Sequence, residues 1–145
     1  MTIKEIHHRY HWNNVMKILI VEDDPVMMML LTHSVKDFGY VIISAADGKE
    51  AIQSINKESP DIIITDLTIP IISGLEIISY VKDFPGKIIS VILISAMPKN
   101  ALGYTNDDFG ADAYLVKPVC PQLLLNTISN LGFVSKNPLQ CYSKN

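Results

Sequence analysis

The chain has 145 residues, of which 48% are hydrophobic and 19% charged, with a net charge of −3. That is room for one domain with one core, too apolar for a disordered chain, and without the Lys and Arg excess that direct binding to nucleic acid or to an anionic membrane surface requires. The apolar runs fall short of the ~20 residues that span a bilayer, the N-terminus carries His and charge where a signal peptide is apolar, and Cys120 and Cys141 lack a metal-type spacing, so the expectation is a cytoplasmic protein with free thiols.

Residues 1–15 read as a polar, aromatic-rich and flexible extension, whose His7, His8 and His11 are weakly cationic rather than a metal site. A domain is expected over residues 16–132, followed by a polar tail, 133–145. Lys17 to Val21 has the Ile/Leu/Val run of a buried strand. Pro25 suits the first turn of a helix, in which Met27, Leu30, Leu31, Ser34, Val35 and Phe38 recur at helical spacing up to Gly39. Val41 to Ser44 predicts a second strand, and Asp47 caps a second helix that buries Ala51, Ile52 and Ile55. Asp61 to Thr65 is a third buried strand. A loop then leads to a helix from Leu75 to about Asp83, and Pro85-Gly86 marks a turn. Lys87 to Ile94 predicts a fourth strand, Pro98 to Phe109 a weak polar helix, Ala113 to Val116 a fifth strand, and Pro121 to Leu131 a last helix with Leu124, Ile128 and Leu131 on one face.

Alternating strands and helices predict an α/β fold, a parallel sheet covered on both faces by right-handed crossovers. At this size the common solution is the flavodoxin-like, doubly wound arrangement with strand order 2-1-3-4-5, and its site lies beyond the carboxyl ends of the strands. Those ends carry Glu22, Asp23 and Asp24 after strand one, Asp66 after strand three, Ser95 after strand four, and Lys117-Pro118, a step that invites a cis peptide, after strand five. Singly, each has an ordinary explanation as a turn, a cap or a solvated charge. Together they form a crevice whose packed carboxylates call for a cation. Oxygen ligands at a partly open site suit Mg²⁺. A lysine can hold an anion's oxygen and a hydroxyl can donate to another. These are parts for phosphoryl transfer to a carboxylate.

On these residues the chain resembles the receiver domain of two-component response regulators, from about Met16 to Leu131. The blocks that carry the likeness are KILIVEDDP, DIIITDLTIPIISG, VILISA and GADAYLVKP. The resemblance implies that Asp66 is the phosphoacceptor, taking a phosphoryl group from a phosphohistidine on a histidine kinase or a histidine phosphotransfer protein. It implies that Asp23 ligates Mg²⁺ directly (with Mn²⁺ able to substitute), Glu22 largely through water, and Thr68 through its backbone carbonyl. Lys117 pairs with a phosphoryl oxygen. Ser95 and Tyr114 form the switch that carries the change to an output protein the sequence does not name. Such a protein is a signalling switch of the stand-alone type, catalysing only its own phosphorylation and dephosphorylation. Ile69 departs from the usual methionine and should pack, and Ser95 replaces the commoner threonine.

Two further expectations concern methionines. Met28 and Met29 lie outside the core stripe of the first helix and are expected to help dock the phosphodonor. Met97, two residues after Ser95, offers no polar group to orient a hydrolytic water and predicts a slowly decaying phosphoform. Rival readings fare worse. A haloacid-dehalogenase-like phosphatase needs a second Asp where Thr68 stands, and a flavin carrier would place Ser, Thr and Gly, not three acids, after strand one. The serious alternative is a receiver-like scaffold that binds a partner without phosphorylation.

Overall fold

The structure, a computed structural model, describes residues 15–102 and 110–132. Five parallel strands, β1 (Lys17–Val21), β2 (Val41–Ala45), β3 (Ile62–Asp66), β4 (Ser90–Ser95) and β5 (Ala113–Val116), pair in the order β2-β1-β3-β4-β5. Among the described residues four α-helices cover them: α1 (Pro25–Val35), α2 (Gly48–Glu58), α3 (Gly74–Lys82) and α4 (Pro121–Asn130). The expected flavodoxin-like order is therefore present. Of the helix expected from Pro98 to Phe109, the described part is a short 3₁₀ turn, Lys99–Leu102; the remainder lies outside the described residues, as do the expected extension, apart from Val15, and the tail.

The sheet divides the core by the two-residue alternation of its strands. Ile18, Ile20, Ile62, Ile64, Ile92 and Ile94 face α1 and α4 with Leu31, Val35, Leu124 and Ile128. Leu19, Val21, Ile63, Leu93 and Val91 face α2 and α3 with Ala51, Ile55, Ile77, Ile78 and Val81. The central strand β3 is buried on both sides through Thr65, which is why its sequence reads as a continuous apolar run rather than an alternation. Each fully buried Ile or Leu contributes roughly 1.5–3 kcal/mol.

The helix starts follow from local chemistry. Asp24 caps α1 by accepting from the Val26 N–H, with Pro25 at the first helical position. The Asp47 carboxylate accepts from the Glu50 N–H at the start of α2. Ser73 and Glu76 make a reciprocal capping box on α3.

Three expectations need correction. Leu30 is not a core residue; it is 55% exposed, while Met28 is half-buried and packs against the core. Helix α1 is apolar on nearly every side, so its sequence does not mark a unique inner face. The strand expected from Lys87 begins only at Ser90, because the Lys87 ammonium is held by Asp61 and by the Ser59 carbonyl and Ile88 is 94% exposed. Finally, α1 ends at Val35, and a 3₁₀ turn, Lys36–Phe38, carries the chain to Gly39 at φ 79°.

Candidate functional site

The strand ladder fixes the site. Hydrogen bonds run one residue past the strands, from the Glu22 N–H to the Ala45 carbonyl, from the Leu67 N–H to the Ile94 carbonyl and from the Lys117 N–H to the Ser95 carbonyl. Glu22, Asp66, Ser95 and Lys117 are thus set by the sheet and not by mobile loops, which is the usual way a rigid scaffold positions chemistry.

The crevice holds one cation among acids. The Lys117 Nζ lies 2.6 Å from Asp66 Oδ2 and 3.1 Å from Glu22 Oε2. Each carboxylate keeps its other oxygen on a backbone donor, Glu22 Oε1 on the Asp24 N–H and Asp66 Oδ1 on the Thr68 N–H. Glu22 is 3% exposed. Its burial, more than the neighbouring Asp66 charge, holds its carboxyl above the usual range, against the lowering effect of the Asp24 N–H and of Lys117. For Lys117, burial lowers the affinity for a proton, but hydrogen bonds to Asp66 and Glu22 together outweigh it, so the ammonium is held above its ordinary value.

Asp23 stands exposed at the mouth, and Glu22, Asp23 and Asp66 each bring a carboxylate oxygen within 4.8 Å of the others. Three hard oxygen donors, one of them open to solvent, fit a Mg²⁺ ion that keeps part of its water shell. The third acid of the strand-one run, Asp24, is spent on capping α1. The loop after β3 brings Thr68 close to Asp66 through its N–H. Ile69 is 8% exposed, so it packs as expected.

The loop after β4 contains a link that residue types alone do not reveal. The Met97 N–H donates to Ser95 Oγ at 3.1 Å, and the Met97 carbonyl accepts from the Tyr114 hydroxyl at 2.6 Å. Ser95 and Tyr114 are joined through one peptide residue. Every residue but proline has an N–H and a carbonyl, so only their placement at Ser95 plus two and opposite Tyr114 could have signalled this. The Lys117–Pro118 peptide is cis.

One residue at the rim is strained. Ile71 sits at φ 73°, in a turn closed by a 2.9 Å bond from the Ile72 N–H to the Pro70 carbonyl. A γ-turn with positive φ is the rare, strained kind, and a β-branched residue is the least suited to it. Ile71 is also 72% exposed, so burial does not offset the strain. Ile71→Gly should raise stability by about 1 kcal/mol. Urea unfolding would show a higher midpoint with an unchanged slope.

A surface cavity of about 520 Å³ lies elsewhere, beside α3 and the amino end of β4, and contains none of these site residues. Among the described residues no helix is long and apolar enough to cross a membrane.

Comparison with known proteins agrees with this geometry. A family model described as the response regulator receiver domain matches residues 18–129. Among curated relatives, the chain is 30% identical over 110 residues to the alkaline phosphatase synthesis transcriptional regulatory protein PhoP of Bacillus subtilis, across 73% of this chain and 44% of that protein. It is 30% identical over 114 residues to protein PilH of Pseudomonas aeruginosa, across 78% of this chain and 94% of PilH. The chain spans about half the length of the first curated relatives it matches. Among solved structures, the chemotaxis response regulator CheY4 of Vibrio cholerae superposes with a TM-score of 0.73 at 28% identity, across 81% of this chain and 99% of CheY4. A putative response regulator from Chloroflexus aurantiacus gives 0.74 at 31% identity, across 81% and 98%.

Proposed function

Because the chain belongs to the response regulator receiver family, whose members are signalling switches, we propose that it takes a phosphoryl group onto Asp66 from a phosphohistidine donor and signals through protein contacts. The observation that carries this reading is the triangle of Lys117, Asp66 and Glu22, with Lys117 2.6 Å from Asp66 Oδ2. In it a nucleophilic carboxylate already sits beside the cation that an arriving phosphoryl oxygen requires.

In the proposed transfer an Asp66 carboxylate oxygen forms a bond to phosphorus as the phosphorus–nitrogen bond of the donor breaks, and the departing imidazole keeps the electron pair and takes a proton. Lys117 leaves its present pairing to hold a phosphoryl oxygen. Glu22, Asp23 and Asp66, with the Thr68 carbonyl, would hold Mg²⁺ (or Mn²⁺), which when bound supplies positive charge for the phosphoryl oxygens. Ser95 Oγ turns toward the phosphoryl group and gives up the Met97 N–H. Tyr114 is tied to the carbonyl of the same residue, so the loop after β4 responds as a unit and presents a changed surface to an output protein.

The test is incubation of the full chain with phosphoramidate, with and without Mg²⁺, read by intact mass. One phosphoryl group should be added only with Mg²⁺, and none in Asp66→Asn. A folded, Mg²⁺-loaded protein that remains unlabelled would instead favour the phosphorylation-independent scaffold. Met97 is 46% exposed and offers no polar side-chain group, so the phosphoform should decay slowly. Met97→Glu should shorten its half-life several-fold by orienting water, read as loss of label after donor removal.

A further inference from the structure

Strand β3 buries one polar side chain among aliphatic ones. Ile62, Ile63 and Ile64 are wholly buried, and so is Thr65. By the two-residue alternation Thr65 shares the face of Ile63. Its register partners are Val21 of β1 and Leu93 of β4, both in the core beneath α2 and α3. An aliphatic residue would suit this lane better, since a buried hydroxyl costs stability unless it is hydrogen-bonded. The Thr65 hydroxyl is bonded: it donates to the carbonyl of the next residue, Asp66, at 2.9 Å.

That bond restrains the peptide directly after the phosphoacceptor. The Asp66–Leu67 peptide has its N–H on the Ile94 carbonyl at 2.8 Å and its C=O on the Thr65 hydroxyl, so it is held at both ends. The next amide, that of Thr68, reaches back to Asp66 Oδ1 at 3.2 Å. A peptide is planar, so rotation about the Asp66 Cα–C bond would carry the carbonyl and the Leu67 N–H together. It would also move the Thr68 N–H away from Oδ1 and change the aim of the carboxylate. Lys117 restrains the second oxygen, at 2.6 Å from Oδ2. In the transfer proposed above Lys117 leaves to hold a phosphoryl oxygen, whereas the Thr65 bond lies in the core and is undisturbed.

We infer that Thr65 is a positioning residue for Asp66: its hydroxyl holds the Asp66–Leu67 peptide so that the carboxylate stays aimed while Lys117 turns to the phosphoryl group. This role rests on the phosphoacceptor reading of Asp66. It involves no contact between Thr65 and phosphorus, metal or donor. The two branches of the side chain have separable tasks, the hydroxyl for the Asp66 carbonyl and the methyl for core packing. A misplacement on the order of 1 Å can cost up to ~10²-fold in rate. Loss of one backbone restraint, with the Ile94 bond retained, should therefore cost about tenfold.

The experiment compares Thr65→Val, which keeps the branched shape and loses the hydroxyl, with Thr65→Ser, which keeps the hydroxyl and loses a methyl. Labelling of the full chain by phosphoramidate at saturating Mg²⁺ should slow about tenfold in Thr65→Val and stay near the wild-type rate in Thr65→Ser. Were Thr65 merely structural, rate would follow stability. Here it should follow the hydroxyl, whichever variant has the lower urea midpoint. Amide hydrogen exchange reads the restraint without any donor: relative to the Ile63 N–H, the Leu67 N–H should exchange faster in Thr65→Val and at the wild-type ratio in Thr65→Ser. Thr65→Val labelled as fast as wild type would overturn the inference and leave Asp66 as the phosphoacceptor. So would Thr65→Ser as slow as Thr65→Val. A folded wild type that takes no label would overturn the phosphoacceptor reading instead. The exchange ratio then decides the restraint, a raised Leu67 ratio in Thr65→Val upholding it and an unchanged one overturning it.

Discussion

Lys117→Ala should slow phosphorylation from a small donor on the order of 10²-fold while tightening Mg²⁺ binding. The two effects have one origin. Among the described residues, Lys117 alone bridges Glu22 and Asp66 as a cation. It neutralises them when no metal is bound and competes with a divalent ion for the same oxygens. Removing it leaves two carboxylates facing each other, so an added ion gains attraction and loses a like-charged neighbour. The attacking oxygen remains, but the charge that meets the phosphoryl oxygens does not. A variant that binds Mg²⁺ better and reacts more slowly separates this role from a merely structural one, since a distorted site would lose both. The metal-free variant should also be less stable, by roughly 1–3 kcal/mol, because a buried acceptor loses its partner.

The pH dependence has a definite sign. Burial already raises the Glu22 pKa, and Lys117 is among the groups that lower it, so the variant should raise it further. A carboxyl with a raised folded-state pKa contributes stability that is present below its unfolded value and is lost as pH rises through the folded value. Thermal unfolding of metal-free Lys117→Ala should therefore approach that of the wild type in acid and fall behind as pH rises through the Glu22 titration. In the wild type the raised Lys117 pKa works in the alkaline range: its stabilising contribution is complete below the unfolded value and lost only as pH passes the folded one.

The strands and strand ends were legible because their constraints are local. A strand buried on both faces must be apolar throughout, as β3 is, and each chemical group follows its own strand directly. The family likeness added the roles. Illegible parts depended on what other elements cover. The spacing put Met27, Leu30, Leu31 and Val35 of α1 on the inner face and Met28 outside it, yet docking on the sheet and α4 buried Leu31 with Val35, packed Met28 against them and left Leu30 exposed. Lys87 to Ile89 had strand composition, yet Lys87 serves an ion pair with Asp61 and pairing waits for Ser90. The acids at Glu22, Asp23 and Asp24 were indistinguishable by type. Position separates them into a buried partner of Lys117, an open ligand and a helix cap.

Gly74→Ala should destabilise the protein by roughly 3 kcal/mol and impair phosphorylation of whatever remains folded. Gly74 opens α3, and its N–H donates to the Leu67 carbonyl, closing the loop from Leu67 to Ser73. A Cβ at this position would lie 2.5 Å from the Asp66 carbonyl oxygen and 3.1 Å from both the Leu67 Cα and the Leu93 side chain. The first contact is with backbone and cannot be relieved by rotating a side chain, so β3 must shift at its last residue or α3 must retreat. Retreat pulls Ile77 and Ile78, both buried, from the core; a shift displaces Asp66, whose carboxylate lies 2.6 Å from Lys117. Gly86→Ala is the control, because nothing lies within 4 Å of a Cβ there; it should lose only the strain of a positive φ, about 1 kcal/mol. Urea midpoints and labelling by phosphoramidate, measured on both variants, separate the two costs. If Gly74→Ala matched Gly86→Ala in both, the close approach of α3 to the Asp66 backbone would not be what positions that carboxylate.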